Sequence, residues 1–203
     1  RYLAEEKGWK GSVVKTVSTT MAVDRLASRY GLPLYETPVG FNYIAEHMLN
    51  GEVLMGGEES GGMSVKGHIP EGDGILMGLL LLEVMAASSM PLKALVEDLA
   101  SDVGPLFYAR RDINLDKPRP KKALVNALLA SAPAQIAGVE VRKVSDLDGV
   151  KYFLGEEGWL LIRPSGTEPI LRVYAEATEQ ALVKAFLEEG ERLGLQALEN
   201  LTH

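Results

Sequence analysis

The chain has 203 residues, 46% of them apolar and 24% charged, with no cysteine and a formal net charge of −7. That length suits one large or two small domains with a buried core, and the apolar content is too high for a mostly disordered polypeptide. The absence of Cys excludes disulfide frameworks, zinc–thiolate sites and thiol nucleophiles, His47, His68 and His203 are too few for an all-histidine metal cage, and the acidic balance argues against nucleic-acid or acidic-membrane partners.

Residues 1–9 lack the apolar core of a secretory signal, and the chain opens without Met, as a fragment or processed product would. Residues 12–17 read as a short strand, carried by Val13, Val14 and Val17 after the turn at Gly11. Val23, Leu26, Ala27 and Tyr30 then recur at helical spacing, and Gly31-Leu32-Pro33 closes that helix. Residues 34–37 form a second strand. Phe41, Ile44, Ala45, Met48 and Leu49 make an amphipathic helical stripe ending at Asn50-Gly51. Residues 53–56 are a third strand, running straight into the loop 57–62. Asp73 caps a helix to about Ala87 that is apolar nearly all round, which predicts a central position. Its longest greasy run is broken by Glu83 and falls short of the ~20 apolar residues of a membrane span. Pro91 opens a further helix with Leu92, Leu95, Val96 and Leu99 inward.

After Gly104-Pro105 the pattern changes. A strand over 107–115, a helix over 121–131, strands over 139–144, 150–154, 159–163 and 170–176, and a closing helix follow, separated by Gly or Asp turns. Strand–helix alternation in the first half predicts a layered α/β domain with a mostly parallel sheet. The second half predicts a smaller α+β domain with an antiparallel sheet. The boundary is placed at 1–106 and 107–203.

Two loops have the composition of ligand sites. Gly56-Gly57-Glu58-Glu59-Ser60-Gly61-Gly62 follows a strand, and in α/β sheets ligands collect beyond the carboxyl ends of strands. Carboxylates and a hydroxyl among glycines suit hydrogen bonds to sugar hydroxyls. A solvated Gly-rich turn is an equal reading of the composition. Neither a Walker motif nor a nucleophile elbow is present. The second loop, Arg163-Pro164-Ser165-Gly166-Thr167-Glu168-Pro169 with Arg172 beyond it, offers hydroxyls, backbone N–H groups and guanidinium for an anion. In its strand Arg172 alternates away from the apolar face, towards the side on which Arg163 can lie. A plain hairpin turn is the alternative. Lys15 is placed to reach a sheet-end cleft, or else to snorkel to the surface. His68 stands between Gly-rich segments as a candidate acid or base.

Val14-Lys15-Thr16, Thr37-Pro38-Val39-Gly40-Phe41, Gly57-Glu58-Glu59-Ser60-Gly61-Gly62, Gly67-His68-Ile69-Pro70-Glu71 with Asp73-Gly74, and Arg163-Pro164-Ser165-Gly166-Thr167-Glu168-Pro169 occur in that order. Together they resemble the third and fourth domains of the α-D-phosphohexomutases, the phosphoglucomutase/phosphomannomutase family, over essentially the whole chain. The Glu-Glu-Ser loop is more like the phosphoglucomutases than the mannose and glucosamine relatives.

The resemblance implies a four-domain enzyme that interconverts hexose 1-phosphate and hexose 6-phosphate through a hexose 1,6-bisphosphate intermediate. A phosphoserine in the first domain and a Mg2+ ion held by the second would assist. Glu58 and Ser60 would then hold ring hydroxyls, and Lys15 and Gly40 would line the cleft. Arg163, Ser165, Gly166, Thr167 and Arg172 would clamp the phosphate that is not reacting. His68 is the candidate catalytic residue, because Gly72 stands where the family more often has a lysine. The phosphoserine and metal loops are not in this sequence, so the chain itself is expected to bind no metal and to be inactive alone. Its partners would be a hexose phosphate and the N-terminal domains of the same protein, with no nucleic acid and no membrane, in the cytoplasm. The alternative is a stand-alone phosphosugar-binding module without catalysis.

Overall fold

The computed structural model describes residues 1–117, 120–156, 158–166 and 168–201. The chain divides into two compact units, Arg1–Pro105 and Leu106–His203. The first unit runs α1 (Tyr2–Glu5), β1 (Ser12–Thr16), α2 (Ala22–Arg29), β2 (Leu34–Thr37), α3 (Phe41–Asn50), β3 (Val53–Gly57), β4 (Met63–Val65), α4 (Gly74–Ser88) and α5 (Leu92–Val103). Its sheet has the order β2-β1-β3-β4, with β1 parallel to both neighbours and β4 antiparallel to β3. Parallel neighbours need crossovers, and α2 and α3 supply them. The apolar stripe of α3 places Ile44 against Val14 and Val53, all buried. β4 was not legible in the sequence: three residues after a Gly-rich turn are too few for a periodic signal, and pairing with β3 creates the strand.

One expectation is corrected. Helix α4 is apolar nearly all round but not central: none of its residues is buried. Leu76, Met77 and Leu80 pack towards Leu3, Leu54 and Val65. Ile75, Leu79 and Leu82 remain 80%, 60% and 61% exposed. A helix apolar on every side needs cover on every side, and this unit supplies it on one. No single helix among the described residues is long and apolar enough to cross a membrane.

The second unit comprises β5 (Phe107–Asn114), α6 (Lys121–Ala130), β6 (Gln135–Ile136), β7 (Val139–Ser145), β8 (Val150–Leu154), β9 (Gly158–Pro164), β10 (Ile170–Ala177) and α7 (Gln180–Asn200). The strands form an antiparallel sheet in the order β5-β10-β9-β8-β7-β6. Period-two alternation sends Leu171, Val173 and Ala175 to a core shared with Phe186 and Leu193 of α7 and Leu124 and Leu128 of α6. Arg172, Tyr174 and Glu176 take the other parity, hence the other face. A mostly parallel sheet with helices, followed by an antiparallel α+β unit, is the fold class that the sequence predicts.

Candidate functional site

In the first unit β3 ends in a tight hairpin to β4. Glu58 N–H donates to the Gly62 carbonyl at 2.9 Å, and Gly61 N–H donates to the Glu58 carbonyl at 3.1 Å. The Glu58 side chain turns to the start of α3, where its Oε1 accepts the Gly40 N–H at 2.9 Å. Gly40 is at φ 136°, and a Cβ there would lie 2.6 Å from Asn42 Oδ1, so the N–H that orients Glu58 depends on glycine. The structure therefore joins Gly40 and Glu58, which are 18 residues apart. Ser60, at the hairpin tip, is exposed.

Lys15 reaches the carboxyl edge of the sheet, in register with Glu36 and Gly57. Its side chain does not snorkel: the residue is 2% exposed. The ammonium group pairs with Asp24, lies 3.7 Å from Glu36, and donates to the Thr19 and Thr20 carbonyls at 3.4 and 3.3 Å. It thereby ties the 17–21 turn to the sheet.

His68 lies on the segment that follows β4. Its Nε2 is 3.0 Å from Asp73 Oδ2, while Asp73 Oδ1 accepts the Ile75 and Leu76 N–H groups at the start of α4. The Leu76 N–H first, and His68 after it, hold the Asp73 carboxyl below its ordinary range. A folded-state value below the unfolded one means that this cap is fully present above the unfolded carboxyl value. It is lost as pH falls through the lowered one. His68 also borders a hollow of about 350 Å³ with Met48, Glu52 and Lys66, near the start of β3 rather than at the hairpin. The segment returns to the hairpin at Gly72, where a Cβ would meet Gly62 Cα at 3.4 Å. A larger hollow of about 630 Å³, walled by stacked Tyr35 and His47, opens at the amino ends of β1 to β3. It lies at the opposite end of the sheet from Glu58, away from the carboxyl edge at which such sheets bind ligands.

In the second unit β9 and β10 are joined by the other loop. Arg163 and Arg172 are direct partners across the two strands, and Asp112 of β5 is the partner of Arg172 on its other side. Directly opposed residues have Cβ atoms about 4.5–5.5 Å apart, so the two arginine side chains leave neighbouring points on one face of the sheet. Each has its own carboxylate. Arg163 Nε donates to Asp148 Oδ2 at 2.7 Å, and Arg172 Nη2 donates to Glu168 Oε2 at 2.7 Å. Arg172 Nε is buried and makes no hydrogen bond among the described residues, with Asp112 Oδ2 3.9 Å away. Ser165 Oγ accepts the Glu168 N–H at 3.2 Å, and Gly166 has open space around it. Thr167 lies outside the described residues.

Asp148, Lys121 and Asp112 were missed as site residues. The first two meet only in the fold, 27 residues apart, and the Asp148-Gly149 pair reads in the sequence merely as a turn. Among the described residues no three His, Asp or Glu side chains converge so as to hold a metal ion.

Residues 1–103 match the family model described as "Phosphoglucomutase/phosphomannomutase, alpha/beta/alpha domain III", and residues 114–192 match "Phosphoglucomutase/phosphomannomutase, C-terminal domain". The chain is 33% identical over 199 residues to the phosphoglucomutase of Komagataeibacter xylinus, covering 86% of this chain and 34% of that protein. It is 35% identical over 180 residues to the phosphoglucosamine mutase of Limosilactobacillus fermentum, covering 89% and 35%. A crystal structure from Thermus thermophilus, assigned as a phosphomannomutase, is similar at 39% identity with a TM-score of 0.73, covering 93% of this chain and 37% of that one. The chain thus spans about a third of the length of the curated relatives it matches.

Proposed function

This chain belongs to the phosphoglucomutase/phosphomannomutase family, whose third and C-terminal domains it carries, and on that premise we propose that it is the sugar- and phosphate-holding half of an enzyme that interconverts hexose 1-phosphate and hexose 6-phosphate. The observation that carries this reading is the register pair Arg163 and Arg172, which brings two arginines to one face beside the loop that joins their strands. Guanidinium groups match phosphate oxygens in pairs, and the Ser165–Gly166 turn lies beside them. Ser165, Gly166 and Thr167 complete the grip in this reading.

Glu58, fixed by Gly40, and Ser60 hold the ring hydroxyls, and Lys15 acts on them at one remove by anchoring the neighbouring turn. The first unit thus supplies groups for ring hydroxyls, and the second supplies a grip for the phosphate that is not reacting. That suits a reaction through hexose 1,6-bisphosphate, because phosphoryl-transfer catalysis is mostly positioning and charge stabilisation. Phosphoryl donor and Mg2+ belong to the first and second domains, so this chain alone has no activity. The Glu-Glu-Ser hairpin supports glucose over mannose. The uncovered apolar face of α4 is assigned to those partner domains, since exposed apolar patches of this kind mark contact surfaces. His68, whose Nε2 is held by Asp73 where that residue's N–H meets the Met63 carbonyl at the foot of the hairpin, takes the proton-carrying role.

Glu58→Gln is expected to weaken glucose 6-phosphate binding about tenfold, the difference between a charged and a neutral acceptor. Affinity for inorganic phosphate should not change. Phosphorus NMR titrations with glucose, mannose and glucosamine 6-phosphates would check both affinity and preference, and equal losses for sugar phosphate and phosphate would refute the hydroxyl assignment. The decisive assay measures hexose 1-phosphate conversion by this chain alone and with the first two domains of a family member added. Conversion only in the mixture is expected. There His68→Gln should lower turnover about 100-fold, the scale of general acid–base catalysis, without altering KM. Binding without conversion in either sample would favour a non-catalytic phosphosugar module.

A further inference from the structure

We infer that Asp148 is the positioning residue of the phosphate grip: its buried carboxylate sets the plane of the Arg163 guanidinium and brings Lys121 beside it as a third cation. This rests on the reading of Arg163 as a phosphate ligand and adds to it the residue that makes the ligand competent.

Asp148 is 3% exposed and lies in the turn between β7 and β8. Its Oδ2 accepts from Arg163 Nε at 2.7 Å, and its Oδ1 accepts from Lys121 Nζ, which comes from the first turn of α6. An acceptor on Nε fixes the guanidinium plane, so that the Nη fork is aimed rather than free to swing. Such a fork binds phosphate well only when aimed, because its advantage over a lysine is geometric.

The approach of the turn is built into the sequence. Gly149 has φ +89°, and a Cβ there would lie 2.5 Å from the Ile162 carbonyl oxygen and 2.9 Å from Arg163 Cα. Only glycine lets this turn press against the backbone that carries Arg163. Stability is a poor explanation for the arrangement, since a buried ion pair gains little over well-packed apolar residues. Orientation explains it better. Arg172 stands directly opposite, and two opposed guanidinium groups repel unless each is held by a carboxylate.

The sign of one measurement separates positioning from plain electrostatics. If Asp148 acted only as a nearby negative charge, removing it would strengthen phosphate binding. Positioning predicts the reverse. The test is a phosphorus NMR titration of the 203-residue chain with inorganic phosphate and with glucose 6-phosphate, alongside the Arg163 Nε–H resonance. Asp148→Ala is expected to weaken both ligands about tenfold and to lose the protected Nε–H signal. Asp148→Asn, which can still accept from Nε, should recover most of both. Lys121→Ala should cost about threefold and leave the Nε–H signal in place. Unchanged or tighter binding by folded Asp148→Ala would overturn the inference while leaving the Arg163 clamp intact. If Asp148→Ala does not fold, Asp148→Glu, which displaces the carboxylate by one methylene, is read in the same way. If Arg163→Ala binds phosphate like the parent, the clamp itself is wrong, and the inference falls with it.

Discussion

Arg163→Ala is expected to weaken binding of both inorganic phosphate and hexose 6-phosphate by about 10- to 100-fold. Charge-assisted hydrogen bonds contribute on the order of 1.5–3 kcal/mol, and each 1.4 kcal/mol is a factor of ten. Arg172 remains on the neighbouring strand, so binding should be weakened rather than abolished. Loss of the guanidinium also leaves the buried Asp148 carboxylate with Lys121 and without Arg163, adding negative potential where the phosphate should sit. Arg163→Lys should recover little, because a lysine keeps a point charge but loses both the Nε anchor and the two-pronged fork. Phosphorus NMR titration of the parent and both variants checks this. An affinity indifferent to Arg163→Ala would remove the phosphate site from this loop.

A large loss of stability should come from Gly149→Ala. The added Cβ would be strained at φ +89° and would meet fixed backbone at 2.5 and 2.9 Å, not the movable end of a side chain. Backbone strain at such a position costs about 1–3 kcal/mol and forced overpacking a similar amount, so the second unit should lose roughly 2–5 kcal/mol. Urea unfolding monitored at methyl groups of Leu160 and Ile162 by NMR reports on this unit alone, as both are buried in its core. Gly166→Ala is the control. A Cβ there meets nothing within 4 Å, and its effect should stay within about 0.5 kcal/mol. Equal midpoints for the two variants would show that the turn is not pressed against β9 as described. If Gly149→Ala folds, it should also lose phosphate affinity, because the turn that moves away carries Asp148.

Much of the architecture was legible because it rests on local signals. The stripe on α3, the valines of β1 and the alternation in β10 each announce an element and the face it buries, since helix and strand periods are set by backbone geometry. Arg172 could be assigned to the face opposite the core by parity alone. The Asp73 cap was readable for the same reason, because its acceptor lies within three residues of its donors. Both ligand loops were visible as composition: glycines, hydroxyls, carboxylates and arginine in places where strands end.

What the sequence could not determine depends on residues far apart in the chain. Gly40 orients Glu58 across 18 residues, and Asp148 joins Lys121 to Arg163 across gaps of 27 and 15. Composition announces that charged groups are present, but only strand register decides which of them share a face and which carboxylate each cation meets. Register likewise made Arg163 and Arg172 neighbours and gave β4 its existence. Helix α4 shows the limit from the other side: its hydrophobicity belongs to the sequence, whereas its burial depends on what packs against it, and this unit covers one face alone. Local periodicity and capping are properties of neighbouring residues and so can be read from the chain. Pairing, orientation and cover are properties of surfaces that meet only on folding, and those the tertiary structure decided.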